Sequence, residues 1–211
     1  MGVKKEKRVK VEVHKNDLPD NLELGSTIAI DTETMGLDPH RDRLCLAQLS
    51  SGKGVIHLVK FSREEINAPN LATLLSDPQL LKIFHFGRFD IAVLRQYIGV
   101  TAQSVYCTKI ASKLARTYTD RHGLKDLCRE LLGIDISKEQ QSSDWGAAQL
   151  TEKQIEYAAA DVVHLHALKQ KLDEILVREG RNRLAQACFD YLPCRAELDL
   201  AGWPQVDMFA H

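Results

Sequence analysis

Asp31 and Glu33 are two carboxylates that follow directly on a short apolar run, Ile28-Ala29-Ile30. The run is brief and β-branched, which is typical of a buried strand. Alternate side chains of a strand share a face, so both carboxylates would point the same way while Thr32 points away. The segment therefore predicts a strand that ends by directing two acids at one place.

Tyr157 and Asp161 form a second candidate pair, four residues apart in the segment YAAADVV. Thr151 and Gln154 fit a capping box, so a helix is expected to begin near Thr151. On that helix Tyr157 and Asp161 lie on one face, one turn apart. A hydroxyl and a carboxylate would then face the same cleft.

Asp90 supplies another acid, at the end of the segment FHFGRFD. Carboxylates that are brought together repel one another unless a cation compensates them, and oxygen-rich sites favour hard ions such as Mg²⁺ or Mn²⁺. Two such ions can stabilise both the attacking and the leaving oxygens of a phosphoryl displacement. Metal-assisted phosphoryl displacement is a chemistry that these residues could serve together.

The segments IAIDTET, FHFGRFD and YAAADVV, in this order, resemble the three motifs of the DEDD exonucleases, in the branch whose third motif reads Tyr-x-x-x-Asp. Ser143-Asp144-Trp145 and the third motif resemble ribonuclease D in particular, and the resemblance covers roughly residues 20–180. It implies an α/β, ribonuclease H-like exonuclease fold with a mixed five-stranded sheet flanked by helices. Ala148 and Gln149 stand where that family commonly has an arginine and a proline.

The resemblance also implies roles for the acids. Asp31, Glu33 and Asp161 would hold a first metal ion, Asp31 would be shared with a second, and Asp90 would act partly through water. Tyr157 would position the attacking water. Substrate contacts are predicted beside these residues, at Thr32, Thr34, Met35, His85, Arg88 and Phe89.

The predicted function is 3′→5′ hydrolysis of RNA ends, with release of nucleoside 5′-monophosphates and with two Mg²⁺ or Mn²⁺ ions as cofactors. A DNA exonuclease of the same superfamily is an alternative, because the contacts to the 2′-hydroxyl that separate RNA from DNA are not visible in the sequence. A catalytically silent nucleic-acid-binding domain is another. The presence of all four acids and the tyrosine favours an enzyme.

Three regions are expected along the chain. Residues 1–20 form a basic leader that is either a flexible arm or an edge strand, and residues 21–191 form the exonuclease domain. Residues 192–211 form an irregular tail, packed on the domain or at an interface. The chain is shorter than ribonuclease D proteins, which carry further helical domains, so grip on the substrate would come from the catalytic domain or from another subunit.

Composition fits a compact protein: 44% of the residues are hydrophobic, 27% are charged and the formal net charge is −1. No apolar run is long enough for a membrane span, and the five cysteines form no C-x-x-C pair, so a reducing cytoplasm is the expected compartment. Some basic residues could contact a phosphate backbone. They are Arg41, Arg43, Arg88, Lys109, Lys113, Arg116, Arg121 and Lys125.

Local patterns predict the element order. Strands are expected near 27–31, 43–50, 54–59 and 81–84, with the first three as an antiparallel meander. A long helix is expected from Thr151 to about Glu179, and Ser62 with Glu65 predicts a short capped helix.

Overall fold

The computed structural model describes residues 10–62, 66–137 and 139–211. The strands within these residues are β1 (Lys10–Lys15), β2 (Thr27–Thr34), β3 (Leu44–Ser50), β4 (Val55–Lys60), β5 (Leu81–Phe84) and β6 (Val105–Cys107). They form a single sheet in the order β1-β4-β3-β2-β5-β6.

Helices pack around this sheet. They are α1 (Pro69–Ser76), α2 (Arg88–Ile98), α3 (Thr108–Ala115), α4 (Leu124–Leu127), α5 (Glu152–Val163), α6 (Leu165–Arg178) and α7 (Asn182–Leu200), and a π-helical turn, Cys128–Leu132, continues α4. In the described part of the chain, none of these helices combines the length and apolar character that crossing a bilayer requires.

The sheet is mixed, as predicted. Strands β2, β3 and β4 form the expected antiparallel meander, β5 and β6 run parallel to β2, and β1 runs parallel to β4. The expected count of five strands is wrong, because the described residues contain six. The strand that the sequence did not reveal is β6, which has three residues and so shows no periodicity of its own.

Strand β1 corresponds to the edge strand considered for the leader. It pairs with β4 from Lys10 to Lys15, whereas residues 1–9 lie outside the described part of the chain. The helix predicted from Ser62 and Glu65 also falls largely outside it, since residues 63–65 are not described.

The long helix predicted from Thr151 is two helices, α5 and α6, which meet at His164. His164 has φ −96° and ψ −8°, which departs from regular helix geometry and interrupts the ladder. Both flanks are apolar and buried, through Val162 on one side and Leu165 on the other. Because the apolar pattern continues across the break, periodicity alone does not predict it.

The prediction of an irregular tail from residue 192 is wrong for its first half, since α7 continues to Leu200 with Pro193 inside it. A proline within a helix costs about 3 kcal/mol, because it removes a backbone hydrogen bond and crowds the preceding turn. Phe189, Leu192 and Ala196 are buried in the core, and their burial offsets this cost. Residues 201–211 have no regular structure, and their side chains are exposed.

The centre of the core lies beneath β2 and β3. Ile28, Ala29 and Ile30 are inaccessible to solvent, and every residue of β3 is buried. The buried first half of β2 and its pairing with β3 hold the second half of β2 in place, and this half carries Asp31 and Glu33.

Candidate active site

Strand β2 carries the first acidic pair. Asp31 lies opposite Gln48 of β3, and the Gln48 amide nitrogen donates to Asp31 Oδ2 over 3.3 Å. The β2–β3 register shifts between Glu33 and Thr34, an irregularity of the kind that often re-aims side chains beside active sites. Gln48 is fully buried, so it fixes the orientation of Asp31 from within the core.

Asp90 lies in the first turn of α2 and is 4% exposed. Its Oδ1 accepts a hydrogen bond from the Thr32 hydroxyl over 2.6 Å. Thr32 was predicted to contact substrate, and the structure instead makes it a partner of this acid, although it also borders the cleft. Gly87, just before α2, permits a close approach to β5, because a Cβ there would lie 2.6 Å from Phe84 Cβ.

Helix α5 supplies Asp161 and Tyr157, and its predicted capping box is confirmed. The backbone N–H of Gln154 donates to Thr151 Oγ1 over 3.2 Å, and the backbone N–H of Thr151 donates to Gln154 Oε1 over 2.9 Å. With the helix start fixed, Tyr157 faces the acids and shares a hydrogen bond with Asp161.

The acids converge across these three elements. Carboxylate oxygens of Asp31, Glu33 and Asp161 all lie within 4.8 Å of one another. Burial, reinforced by the neighbouring acids, raises the pKa of Asp31 well above its usual range and that of Glu33 to about 9. Burial also raises the pKa of Asp90 to about 7. Like charges at this spacing require a cation, so the donor set fits a hard divalent ion.

These acids lie in a cleft of about 650 Å³, which we call the acid cleft. Of the six predicted substrate contacts, the structure brings five to its walls, namely Thr32, Thr34, Met35, His85 and Phe89. His85 Nδ1 lies 2.9 Å from the Thr108 hydroxyl, which itself donates to the Phe84 carbonyl. The Thr108 hydroxyl therefore links the ring of His85 to the end of β5 and fixes its orientation.

Arg88 is the predicted contact that the structure does not bring to the cleft. Its guanidinium donates to both carboxylate oxygens of Asp199 in α7, at 2.5 and 2.7 Å, and to the Pro204 carbonyl. The adjacent carboxylate raises the pKa of Arg88 above its ordinary value. Arg88 thus joins α2 to the C-terminal segment. Its partner Asp199 lies more than a hundred residues away in the sequence, so no local pattern could reveal the pair.

Two of the eight basic residues predicted to contact phosphate, Lys109 and Lys125, do line the acid cleft. Others are engaged elsewhere. Arg41 pairs with Asp42, and Arg116 is fully buried beside Glu130.

Phe86 is a cleft residue that the sequence analysis missed. It is 47% exposed, has φ +61°, and its ring lies 4.0 Å from the Lys109 ammonium. A left-handed backbone is unusual for a bulky residue and marks a constrained position. Leu37, 86% exposed, also borders the cleft and was not predicted. Only the place of Phe86 between His85 and Gly87 in the second motif could have drawn attention to it.

The segment just before Ala148 and Gln149, the two residues that depart from the ribonuclease D pattern, is held by hydrogen bonds to other elements. The Lys60 ammonium donates to the Trp145 carbonyl over 2.6 Å, and the side-chain amide of Gln154 donates to the Asp144 carbonyl over 3.1 Å. The Trp145 indole is 2% exposed and packs against Tyr157, with 5.9 Å between ring centroids. These contacts fix Asp144 and Trp145, the residues just before the segment that contains Ala148 and Gln149.

The family model described as "3'-5' exonuclease" matches residues 9–177. The chain belongs to the 3′-5′ exonuclease family. Ribonuclease D of Gluconacetobacter diazotrophicus is 37% identical over 154 residues, which are 73% of this chain and 39% of that protein. DNA polymerase I of Aquifex aeolicus is 32% identical over 155 residues, or 74% of this chain and 25% of that protein. The resemblance to ribonuclease D is confirmed, although the chain spans about two-fifths of these ribonuclease D proteins.

Solved nucleases cover far more of the chain. Brucella melitensis NrnC bound to pGG is 55% identical, with a TM-score of 0.92 over 96% of this chain and 99% of that one. The same protein with bound Mg²⁺ is 54% identical, with a TM-score of 0.91 over the same shares of both chains. The α/β exonuclease fold is therefore established for this chain.

Proposed function

We propose that this protein is a metal-dependent 3′→5′ exonuclease that hydrolyses RNA ends and releases nucleoside 5′-monophosphates. The observation that carries the proposal is the convergence of Asp31, Glu33 and Asp161, with oxygens within 4.8 Å of one another, beside Asp90 and Tyr157. Hydrolysis of a phosphodiester is the reaction that such a set of ligands serves.

The donor set fits two Mg²⁺ or Mn²⁺ ions. Asp31, Glu33 and Asp161 would hold one, and Asp31 with Asp90 would hold the other. When bound, such ions offset the charge on the attacking and leaving oxygens of the phosphoryl group. The fixed strand end, the Gln48 amide and the Thr32 hydroxyl keep the carboxylates in position before any ion arrives, so little reorganisation accompanies binding.

Tyr157 would orient the attacking water by hydrogen bonding. Burial and the nearby carboxylates raise the pKa of its phenol above the ordinary value, so it remains protonated at neutral pH and is a poor general base. Trp145 packs against the ring and limits its movement. Tyr157 therefore acts as a fixed hydroxyl beside Asp161.

A short, 5′-phosphorylated oligoribonucleotide, as small as a dinucleotide, is the substrate that we propose. A cleft of about 650 Å³ lies in the usual range for small ligands, about 300–1,000 Å³. Phe86 and Met35, both about half exposed, offer apolar surface to bases, and Lys109 and Lys125 can meet phosphates. The NrnC structure described as bound to pGG supports this size of substrate.

DNA hydrolysis is a second candidate, and the similarity to DNA polymerase I favours it. Both candidates use the same acids, so they differ only in the sugar that the cleft accepts.

Degradation assays with 5′-labelled and 3′-labelled strands test the proposal. Dinucleotides and longer strands of RNA and DNA would be compared with Mg²⁺, with Mn²⁺ and with EDTA. Metal-dependent shortening of RNA from the 3′ end, fastest for the shortest strands, is expected. Full activity in EDTA or shortening from the 5′ end would contradict the chemistry, whereas faster loss of DNA would select the second candidate.

A further inference from the structure

A second group of metal-ligating side chains lies at the edge of the sheet, away from the acid cleft. Glu12 and His14 are alternate residues of β1 and therefore share a face. His57 of β4 lies directly opposite Glu12 in the parallel register. We call these three residues the edge cluster. Two neighbouring strands thus present a carboxylate and two imidazoles on one side of the sheet.

The three side chains converge. His14 Nε2 and His57 Nδ1 are 2.9 Å apart, and Glu12 Oε2 lies 3.8 Å from the same His57 nitrogen. One ligand atom from each residue lies within 4.8 Å of the other two. His57 is 5% exposed and is therefore fixed by its surroundings, whereas Glu12 and His14 are half-buried and can be reached from solvent.

We infer that the edge cluster is a binding site for a borderline divalent transition-metal ion such as Zn²⁺. Two imidazoles and a carboxylate suit Zn²⁺, Cu²⁺ or Ni²⁺, whereas Mg²⁺ prefers oxygen ligands alone. The two nitrogens share a hydrogen bond at 2.9 Å, with 5.2 Å between the ring centroids, so an ion would replace the shared proton. The half-buried His14 ring would turn to direct its nitrogen at the ion. Water would complete the coordination.

The positive charge of Lys10 competes with a cation for Glu12, so a change of Lys10 offers a test of the site. Its ammonium lies 2.6 Å from Glu12 Oε1, on the side of the carboxylate away from the His57 contact. The lysine side chain is 69% exposed, so it can move into solvent when a cation binds. Loss of this positive charge should strengthen metal binding, while loss of any ligand should weaken it.

The bound ion would fasten β1 to β4. Among the residues that the structure describes, β1 is an edge strand that pairs with β4 alone. A metal bridge between Glu12 and His14 on one strand and His57 on the other adds a cross-link that the unfolded chain lacks. Binding should therefore stabilise the folded protein.

Electron paramagnetic resonance of Cu²⁺ tests the site, with the full chain in excess Mg²⁺ to occupy the acid cleft. The expected spectrum shows coupling to two imidazole nitrogens. In His14→Gln one nitrogen should be lost, and affinity should fall by more than about tenfold, since even outer-shell changes typically cost 10–100-fold. His40→Gln, which removes an exposed histidine outside the cluster, is the matched control and should leave the spectrum unchanged.

Two further variants keep the test decisive if His14→Gln is unstable. Glu12→Gln should keep both nitrogens but bind Zn²⁺ more weakly, and Lys10→Gln should bind it more tightly, as measured by calorimetry. Zn²⁺ should raise the melting temperature of the parent more than that of Glu12→Gln. A spectrum without two nitrogens, the same spectrum in His14→Gln, or equal Zn²⁺ affinity in Glu12→Gln would overturn the inference.

Discussion

The acid cleft and the edge cluster occupy opposite faces of one sheet, in neighbouring rows of the strand register. Asp31 pairs with Gln48, and the next row runs from Ile30 through Leu49 to His57. Paired residues share a face and successive residues alternate, so Asp31 and His57 point to opposite sides. Three strand spacings, roughly 14 Å in total, separate β2 from β1.

The difference between the two lies in their donors and in how charge is balanced. The cleft gathers four carboxylates, and the neighbouring acids add to burial in raising the pKa of Asp31 and Glu33, an arrangement that is costly until a hard cation enters. The edge cluster has one carboxylate, two imidazoles and a nearby lysine, so it is already close to neutral. Repulsion among the acids therefore favours cation binding in the cleft, whereas an ion at the edge cluster would gain no such relief and would add a cross-link.

Asp31→Asn should have the largest effect, because it removes a ligand from the centre of the cleft. Turnover should fall by about 10³-fold, since metal stabilisation of the transition state is worth several kcal/mol and each decade is about 1.4 kcal/mol. The metal-free variant should melt at a higher temperature than the parent, because one repelling charge is gone. Initial rates and thermal melts measure both, with Glu23→Gln, an exposed acid, as the control. Retained turnover would place the chemistry elsewhere.

Tyr157→Phe should lower turnover by roughly 10²-fold, because it removes the hydroxyl that orients the water and keeps the packing against Trp145. Affinity for Mn²⁺ should be unchanged, since the tyrosine is not a ligand. Single-turnover rates and Mn²⁺ titrations separate the two effects, and Tyr118→Phe, at an exposed tyrosine, is the matched control. An unchanged chemical step would remove Tyr157 from the mechanism.

Without metal, the free energy of unfolding should fall as pH rises from about 4 to about 9. Glu33 has a pKa of about 9 when folded and about 4.3 when unfolded, so the folded protein binds more protons across this window. The loss should be at least about 2 kcal/mol. Urea unfolding in EDTA measures it. Glu33→Gln should make the profile shallower and leave the part due to Asp31 and Asp90, whose pKa values are also raised, whereas saturating Mg²⁺ should flatten it. An unchanged slope in Glu33→Gln would show that Glu33 does not contribute, and an unchanged slope in Mg²⁺ would place the responsible groups outside the cleft.

Arg88→Gln should have the smallest effect, and it checks which charges belong to the cleft. Loss of the pair with Asp199 should cost on the order of 1 kcal/mol of stability. The KM for a dinucleotide should stay near that of the parent. Urea unfolding and steady-state kinetics test this together, and a large rise in KM with unchanged stability would restore Arg88 as a substrate contact.

The cleft was predictable because its acids are specified locally. Asp31 and Glu33 follow from strand alternation, and Tyr157 with Asp161 follows from a helix whose capping box fixes its register. Each local pattern needs only a few neighbouring residues. The resemblance supplied the further information that these segments meet in space.

The missed features depend on pairing between distant segments. Gln48 is a buried polar residue in an otherwise apolar strand, a signal that could have marked it, but its partner Asp31 is set by the sheet register. The partner of Arg88 lies in α7, and the continuation of α7 through Pro193 depends on core burial that outweighs local propensity. The left-handed backbone of Phe86 has no sequence signature.

The placement of the acids in the chain has a consequence for the order of folding. Strands β2, β3 and β4 are consecutive, and β5 and β6 complete the sheet by Cys107. Asp161 arrives on α5, far downstream of Asp31. Early segments form their local and nearby contacts first, because closing long loops is entropically costly. We therefore expect the sheet to gain its stability before helix α5 docks, so that the repulsion that Asp161 adds to the other acids arises last, when the sheet that must withstand it has already formed.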